Sequence, residues 1–167
     1  MRAAEIGRMK CPVARTLSIV GDPWTLLILR ELFLRSHRFE EFQGYTGMAP
    51  YLLTTRLKQL IKDGILERRA YQERPRRYEY RLTDKGLDLY PVVVAMSEWG
   101  NRWMTDASGP PLKLLHAGCG AHSSPVLHCS ECGEPVGPRD MRTEMQPVML
   151  ADRERMWKRF KRQTARH

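Results

Sequence analysis

Hydrophobic positions along the chain change their period several times, and each change marks an element. After Pro12, and again after Pro23, apolar residues return at three- and four-residue intervals. Trp24, Leu27, Ile28 and Leu32 in the second stretch have the spacing of an amphipathic helix. Both prolines suit a first helical position, Asp22 can cap the second helix, and Gly21 stops the first. RFEEFQGYTG, from Arg38, predicts a short helix closed by Gly44 and then a turn ending at Gly47. APYLLTTRLKQLIKDG, from Ala49, predicts a further helix opened by Pro50 and ended at Asp63-Gly64. Around its wheel Leu53, Leu57, Leu60 and Ile61 gather on one side. Tyr51, Thr55, Lys58 and Lys62 gather opposite, with Thr54 and Gln59 beside them and Arg56 near the boundary.

The period then shortens to two. ILERRAYQ and RYEYRLT predict two strands, with Tyr78, Tyr80 and Leu82 alternating against Arg77, Glu79 and Arg81 as in a sheet with one wet face. ERPRR between them is too charged and too proline-broken for a core, so it forms the tip of a hairpin. Thr83 offers a helix cap. LDLYPVVVAMSEWGNRWM then predicts a long helix that Pro91 bends or restarts. The VVVAM run is apolar nearly all round, so that helix needs a partner on more than one side.

Two helices about a tight glycine turn, followed by a hairpin, make a helix-turn-helix with a wing. The second helix of such a unit fits the major groove of DNA. Its outward residues Tyr51, Thr54, Thr55, Arg56 and Lys58 are the candidate base and phosphate contacts. Arg74, Arg76 and Arg77 at the wing tip would reach a flanking backbone or minor groove. The fold class expected is mainly α with a small β-hairpin: a winged helix-turn-helix with dimerisation helices and a small Cys/His-rich C-terminal appendage.

Bulk properties agree with a polyanionic partner, here double-stranded DNA. The 167 residues carry a formal charge of +9, and the sequence pI is about 9.7. The N-terminal stretch has no apolar leader, and the run beginning at Trp24 meets Arg30 well short of the ~20 residues a membrane span needs. A cytoplasmic protein without a membrane partner is expected, with reduced cysteines.

CPVARTLSIVGDPWTLLILRELFLRSHRFEEF, LLTTRLKQLIKDGILERRAYQERPRRYEYRLTDKG and VVVAMSEWG resemble the HxlR-type winged-helix transcriptional regulators, relatives of the MarR group. The likeness runs from about Lys10 to Trp103. It implies a homodimer joined through the first helix and the long helix after the wing, acting on a near-palindromic operator. One departure is Ala49, where members commonly carry a serine ahead of the proline; alanine caps poorly, at a cost of ~1 kcal/mol. The resemblance also implies a role for Cys11, since a cysteine in the CPV position serves some members as a sensor of oxidants or electrophiles. A helix N-terminus and Arg15 would favour its thiolate; the alternative is a small apolar residue at the dimer interface.

Composition changes after Met104. The organisation expected is a flexible arm (1–10), a DNA-binding and dimerisation domain (11–104), a linker (105–113), a zinc knuckle (114–140) and a basic segment (141–167). In HAGCGAHSSPVLHCSECGEP, His116 and Cys119 are three apart, as are Cys129 and Cys132. One His and three Cys would close a tetrahedral structural zinc site, with His122 and His128 as substitutes for His116. A redox CxxC pair or metal-free thiols are the alternatives, and the βαβ context of a redox site is missing. The basic segment reads either as a grip on flanking phosphates or as a solubilising tail. No Gly-rich phosphate loop or Ser-His arrangement points to an enzyme. The competing function is a thiol- or metal-dependent enzyme or stress protein using the Cys/His cluster.

Overall fold

The computed structural model describes residues 3–164; the first two residues of the expected arm and the last three of the basic segment lie outside the described residues. The elements in chain order are α1 (Ala3–Ile6), α2 (Pro12–Val20), α3 (Pro23–Phe33), α4 (Phe39–Thr46), α5 (Pro50–Lys62), β1 (Leu66–Glu73), β2 (Arg76–Leu82), α6 (Asp84–Leu87), α7 (Tyr90–Trp103) and α8 (Pro147–Thr164). This is the mainly-α class with one antiparallel hairpin that the periodicity predicts. None of the described helices is long and apolar enough to cross a membrane.

The chain divides into two units. The larger, Pro23–Val136, holds the helix-turn-helix and the wing. Its core is Ile28, Leu29 and Leu32 from α3, Phe42 from α4, Met48 from the turn, Leu53, Leu57 and Leu60 from α5, and Ile65 and Leu66 at the start of the wing. Burying each such side chain contributes roughly 1.5–3 kcal/mol. Phe42 meets Tyr80 of β2 edge-on at 6.0 Å. Phe33 meets Tyr90 of α7 in the same way at 5.1 Å.

Three local expectations need correction. The short helix α4 runs through Gly44 and is closed by Gly47, which takes the left-handed conformation at φ 69°. Ile61 is not part of the buried stripe of α5; at 37% exposure it lies one wheel step beyond Leu60. Glu79 and Arg81 are half-buried, not on a wet face, because the segment before α4 pairs alongside β2: the Tyr80 N–H donates to the His37 carbonyl at 2.7 Å. Pro91 restarts a helix: α6 ends at Leu87 and α7 opens with the proline in its first turn.

The smaller unit comprises Met1–Asp22 and Gly137–His167. Within it α1 packs on α2, and α8 is tied to the N-terminal segment by the Lys10 N–H, which donates to Asp152 Oδ2 at 2.9 Å.

Candidate nucleic-acid interface

α5 is held by its three leucines, which leaves the opposite face open. Tyr51 is 84% exposed. Thr55 and Lys58 are exposed, while Thr54 and Arg56 are half-buried at the sides. The start of the helix lacks a side-chain cap at Ala49, as expected of alanine. Both threonine hydroxyls donate into the helix: Thr54 Oγ1 to the Pro50 carbonyl at 2.8 Å and Thr55 Oγ1 to the Tyr51 carbonyl at 2.9 Å. Each hydroxyl proton is therefore engaged, and what the oxygen offers outward is lone pairs.

The wing is a hairpin in which Leu66 pairs with Leu82 and Glu73 with Arg76, with a bulge between Ala70 and Gln72 that leaves Tyr71 as the extra residue. Arg74, Arg76 and Arg77 are all exposed at and beside its tip. The Arg68 guanidinium lies 4.0 Å from the Tyr78 ring centroid and that of Arg76 lies 5.5 Å from it. Arg38 sits over the Tyr71 ring at 4.7 Å. Cations stacked on aromatic faces lose less freedom on meeting a phosphate than free ones do. Arg38 and Arg68 are the cations that sequence reasoning missed. The signal for Arg68 lay in the pairing of Ala70 with Tyr78, which makes Arg68 a diagonal neighbour of that ring.

The junction between wing and helix-turn-helix is polar and tightly bonded. Glu41 Oε2 accepts the backbone N–H of His37 at 2.7 Å and of Arg38 at 2.8 Å. Those two bonds hold the Glu41 carboxyl below its ordinary range. Arg81 Nε donates to Glu79 Oε1 at 3.0 Å, and its Nη1 lies 3.1 Å from His37 Nε2. The Arg81 hydrogen bond in turn lowers the Glu79 carboxyl. Burial raises the Tyr80 phenol beneath this layer.

The expected zinc knuckle is not formed. His116 Nδ1 does meet Cys119 Sγ at 3.3 Å. Cys129 and Cys132 also meet, and the Cys129 thiol is lowered by the backbone N–H groups of Cys132 and Glu131 and by the Cys132 thiol. The two pairs remain in separate tight turns, each closed by its own backbone bonds. The Gly120 N–H donates to the His116 carbonyl at 2.8 Å, and the Gly133 N–H to the Cys129 carbonyl at 2.9 Å. His128, a possible substitute ligand, has its Nδ1 2.8 Å from the Gly133 carbonyl oxygen. Among the described residues no three His, Cys, Asp or Glu side chains converge to hold a metal ion. The structural zinc assignment to His116, Cys119, Cys129 and Cys132 is therefore withdrawn, and with it the metal-binding appendage. Spacing identifies ligands that are neighbours along the chain; it does not decide whether two such pairs meet. Cys11 lies just before α2 and is half-buried with its thiol free.

Comparison with known proteins places this geometry in a lineage. Residues 19–108 match the model of the HxlR-like helix-turn-helix family. The uncharacterized HTH-type transcriptional regulator Rv3095 of Mycobacterium tuberculosis is 41% identical over 139 residues, covering 83% of this chain and 88% of that protein. The solved structure of PA1607, a candidate transcription factor, aligns with a TM-score of 0.75 at 32% identity, over 85% of this chain and 99% of that one. The redox regulator HypR in its reduced form aligns with a TM-score of 0.51 at 35% identity, over 56% of this chain and 96% of that one.

Proposed function

The chain belongs to the HxlR-like helix-turn-helix family, and from that premise we propose that it is a cytoplasmic, sequence-specific regulator of transcription that binds a near-palindromic operator as a homodimer. The family role is regulatory and not enzymatic, so the thiol- or metal-dependent enzyme has no support.

In this reading residues 11–104 bind DNA and dimerise. α5 enters the major groove with Tyr51, Thr54, Thr55, Arg56 and Lys58 toward the duplex, and Arg74, Arg76 and Arg77 of the wing engage the flanking backbone or minor groove. The observation that carries it is the two-sided character of α5: Leu53, Leu57 and Leu60 are at most 1% exposed while Tyr51 is 84% exposed. A wing with three exposed arginines lies in the same unit.

Two apolar faces support the dimer. α7 leaves Met96, Trp99 and Trp103 between 51% and 69% exposed, and α2 leaves Val13 at 66% and Leu17 at 50%. A second copy that covered them would remove a contiguous apolar surface from water. The likeness to a redox regulator supports a sensor role for Cys11.

The test is fluorescence anisotropy of the protein on DNA from just upstream of its own coding region, with a scrambled duplex alongside and a salt series. Tighter binding to the native piece that persists near 150 mM salt is the expected result. Equal binding to both duplexes that falls by about a thousandfold between 50 and 200 mM salt would reduce the reading to non-specific phosphate attraction.

A further inference from the structure

The smaller unit contains a pocket that DNA binding does not use. It has a volume of about 600 Å³, within the 300–1,000 Å³ usual for small-molecule sites. Met9 and Cys11 form one wall, and Met149, Met156, Trp157 and Phe160 of α8 form the other. α8 is otherwise a cationic helix, with Arg153, Arg155, Lys158, Arg159, Lys161 and Arg162 along it. A helix needed only for solubility would have no use for an apolar stripe at this spacing.

We propose that this pocket is an effector site for an uncharged, flat aromatic molecule of about two fused rings. Three observations select that chemistry. Trp157 and Phe160 stack with their centroids 5.4 Å apart and their planes 19° from parallel, so one wall is an extended flat surface. Three methionines complete the lining, and their polarisable thioethers make favourable contacts with ring edges while adapting to shape. The charges at the rim are balanced. Asp152 is engaged by the Lys10 N–H at 2.9 Å and by Arg155 Nη2 at 2.8 Å, Glu154 faces Lys158 at 4.0 Å, and Arg153 and Glu154 at the mouth carry opposite signs. No net charge remains to select an ion.

The Asp152 clamp also makes the pocket a built site, since it fastens the α8 wall to the segment that carries Met9 and Cys11. A ligand there would bear on the stretch leading into α2. That consequence rests on the regulatory reading above, whereas the binding event does not.

Cys11 provides a local reporter. The reduced full-length protein is treated with iodoacetamide with and without 2-naphthol, and alkylation of each cysteine is followed by peptide mass spectrometry. At about ten times its Kd the probe should slow alkylation of Cys11 about tenfold by mass action, and leave Cys119, Cys129 and Cys132 unchanged. Protection should disappear in Trp157→Ala, a change at an exposed position with its fold checked by circular dichroism, and weaken with 2-naphthoate. Three outcomes overturn the site: no protection up to solubility, equal protection of all four thiols, or full protection retained in Trp157→Ala. Protection of Cys11 that rises with protein concentration and needs no probe also overturns it, since a second copy would then fill the groove. Operator affinity is measured separately with the probe present. A change supports the effector role; no change, in a protein that binds its operator, overturns that role alone. Failure to bind any operator counts against the regulatory reading and leaves the thiol result intact.

Discussion

The Tyr80 backbone N–H donates to the His37 carbonyl at 2.7 Å, so the wing is bonded directly to the segment that leads into the helix-turn-helix. An antiparallel bridge between Arg38 and Glu79 extends the contact. Residues 37 and 38 thus act as a short third strand, which fixes the pitch of the hairpin relative to α4. A two-stranded hairpin alone is marginal in water. Here the third strand and the packing of Phe42 on Tyr80 supply what the hairpin lacks.

Glu41 holds that third strand at its turn, so Glu41→Ala should destabilise the domain. Two backbone N–H groups lose their acceptor, at a cost of about 1–2 kcal/mol and roughly 2–8 °C in Tm. The folded-state acidity of Glu41 is displaced below its model value of 4.5. The stabilisation is therefore complete above that value and is lost as pH falls through the lower folded value. Urea midpoints of wild type and variant should differ most near pH 6 and converge in strong acid. An equal gap at every pH would mean that the charge of Glu41 plays no part.

Thr55 has its hydroxyl proton engaged by the Tyr51 carbonyl. In the major groove its oxygen can accept from adenine N6 or cytosine N4, but it cannot donate to a phosphate without breaking that bond. We expect Thr55→Val, which keeps the shape and the methyl group, to lose about 1–3 kcal/mol of discrimination at one operator position. The salt slope should not change. Binding to a panel of single-base operator variants at two salt concentrations decides it. A changed slope with an unchanged base preference would reassign Thr55 to the backbone.

The winged fold was legible because its signals are local. Pro12, Pro23 and Pro50 open helices, the 53-57-60 leucine stripe marks the inner face of α5, and alternation marks the wing. Errors arose where a decision depends on distant residues. Nothing near Glu79 and Arg81 in sequence reveals that His37 and Arg38 pair alongside and half-bury them. The same limit applies to His116-Cys119 and Cys129-Cys132, each pair formed as spacing suggests but held in its own turn. The face of α5 was readable, yet the internal bonds of Thr54 and Thr55 and the stacking of Arg68 on Tyr78 needed coordinates.

Arg76 should contribute mainly through phosphate. Its guanidinium is exposed and held near the Tyr78 ring. Arg76→Ala is expected to weaken binding to all duplexes alike and to reduce the slope of log K against log salt by about one. Tyr78→Leu should give a smaller loss in the same direction, because the arginine stays but is no longer pre-positioned. A base-specific effect of Arg76→Ala would instead place this side chain in a groove.

Two glycines should respond to alanine in opposite directions. A Cβ at Gly86 would stand 2.3 Å from the Ile65 carbonyl oxygen and 2.9 Å from Leu82 Cδ2. Thr83 fixes this approach, because its Oγ1 accepts the Gly86 N–H at 3.2 Å and donates to the Gly64 carbonyl at 2.7 Å. Gly86→Ala must push α6 off the base of the wing, at about 1–3 kcal/mol. Gly44 lies within α4 on an exposed face, with nothing within 4 Å of an added Cβ. Gly44→Ala should therefore stabilise by roughly 0.4–1 kcal/mol, since the unfolded chain loses freedom and the helix loses nothing. Had the helix closed at Gly44 in a left-handed conformation, the same change would destabilise. The sign of the shift in urea midpoint thus decides between a stop at Gly44 and one at Gly47.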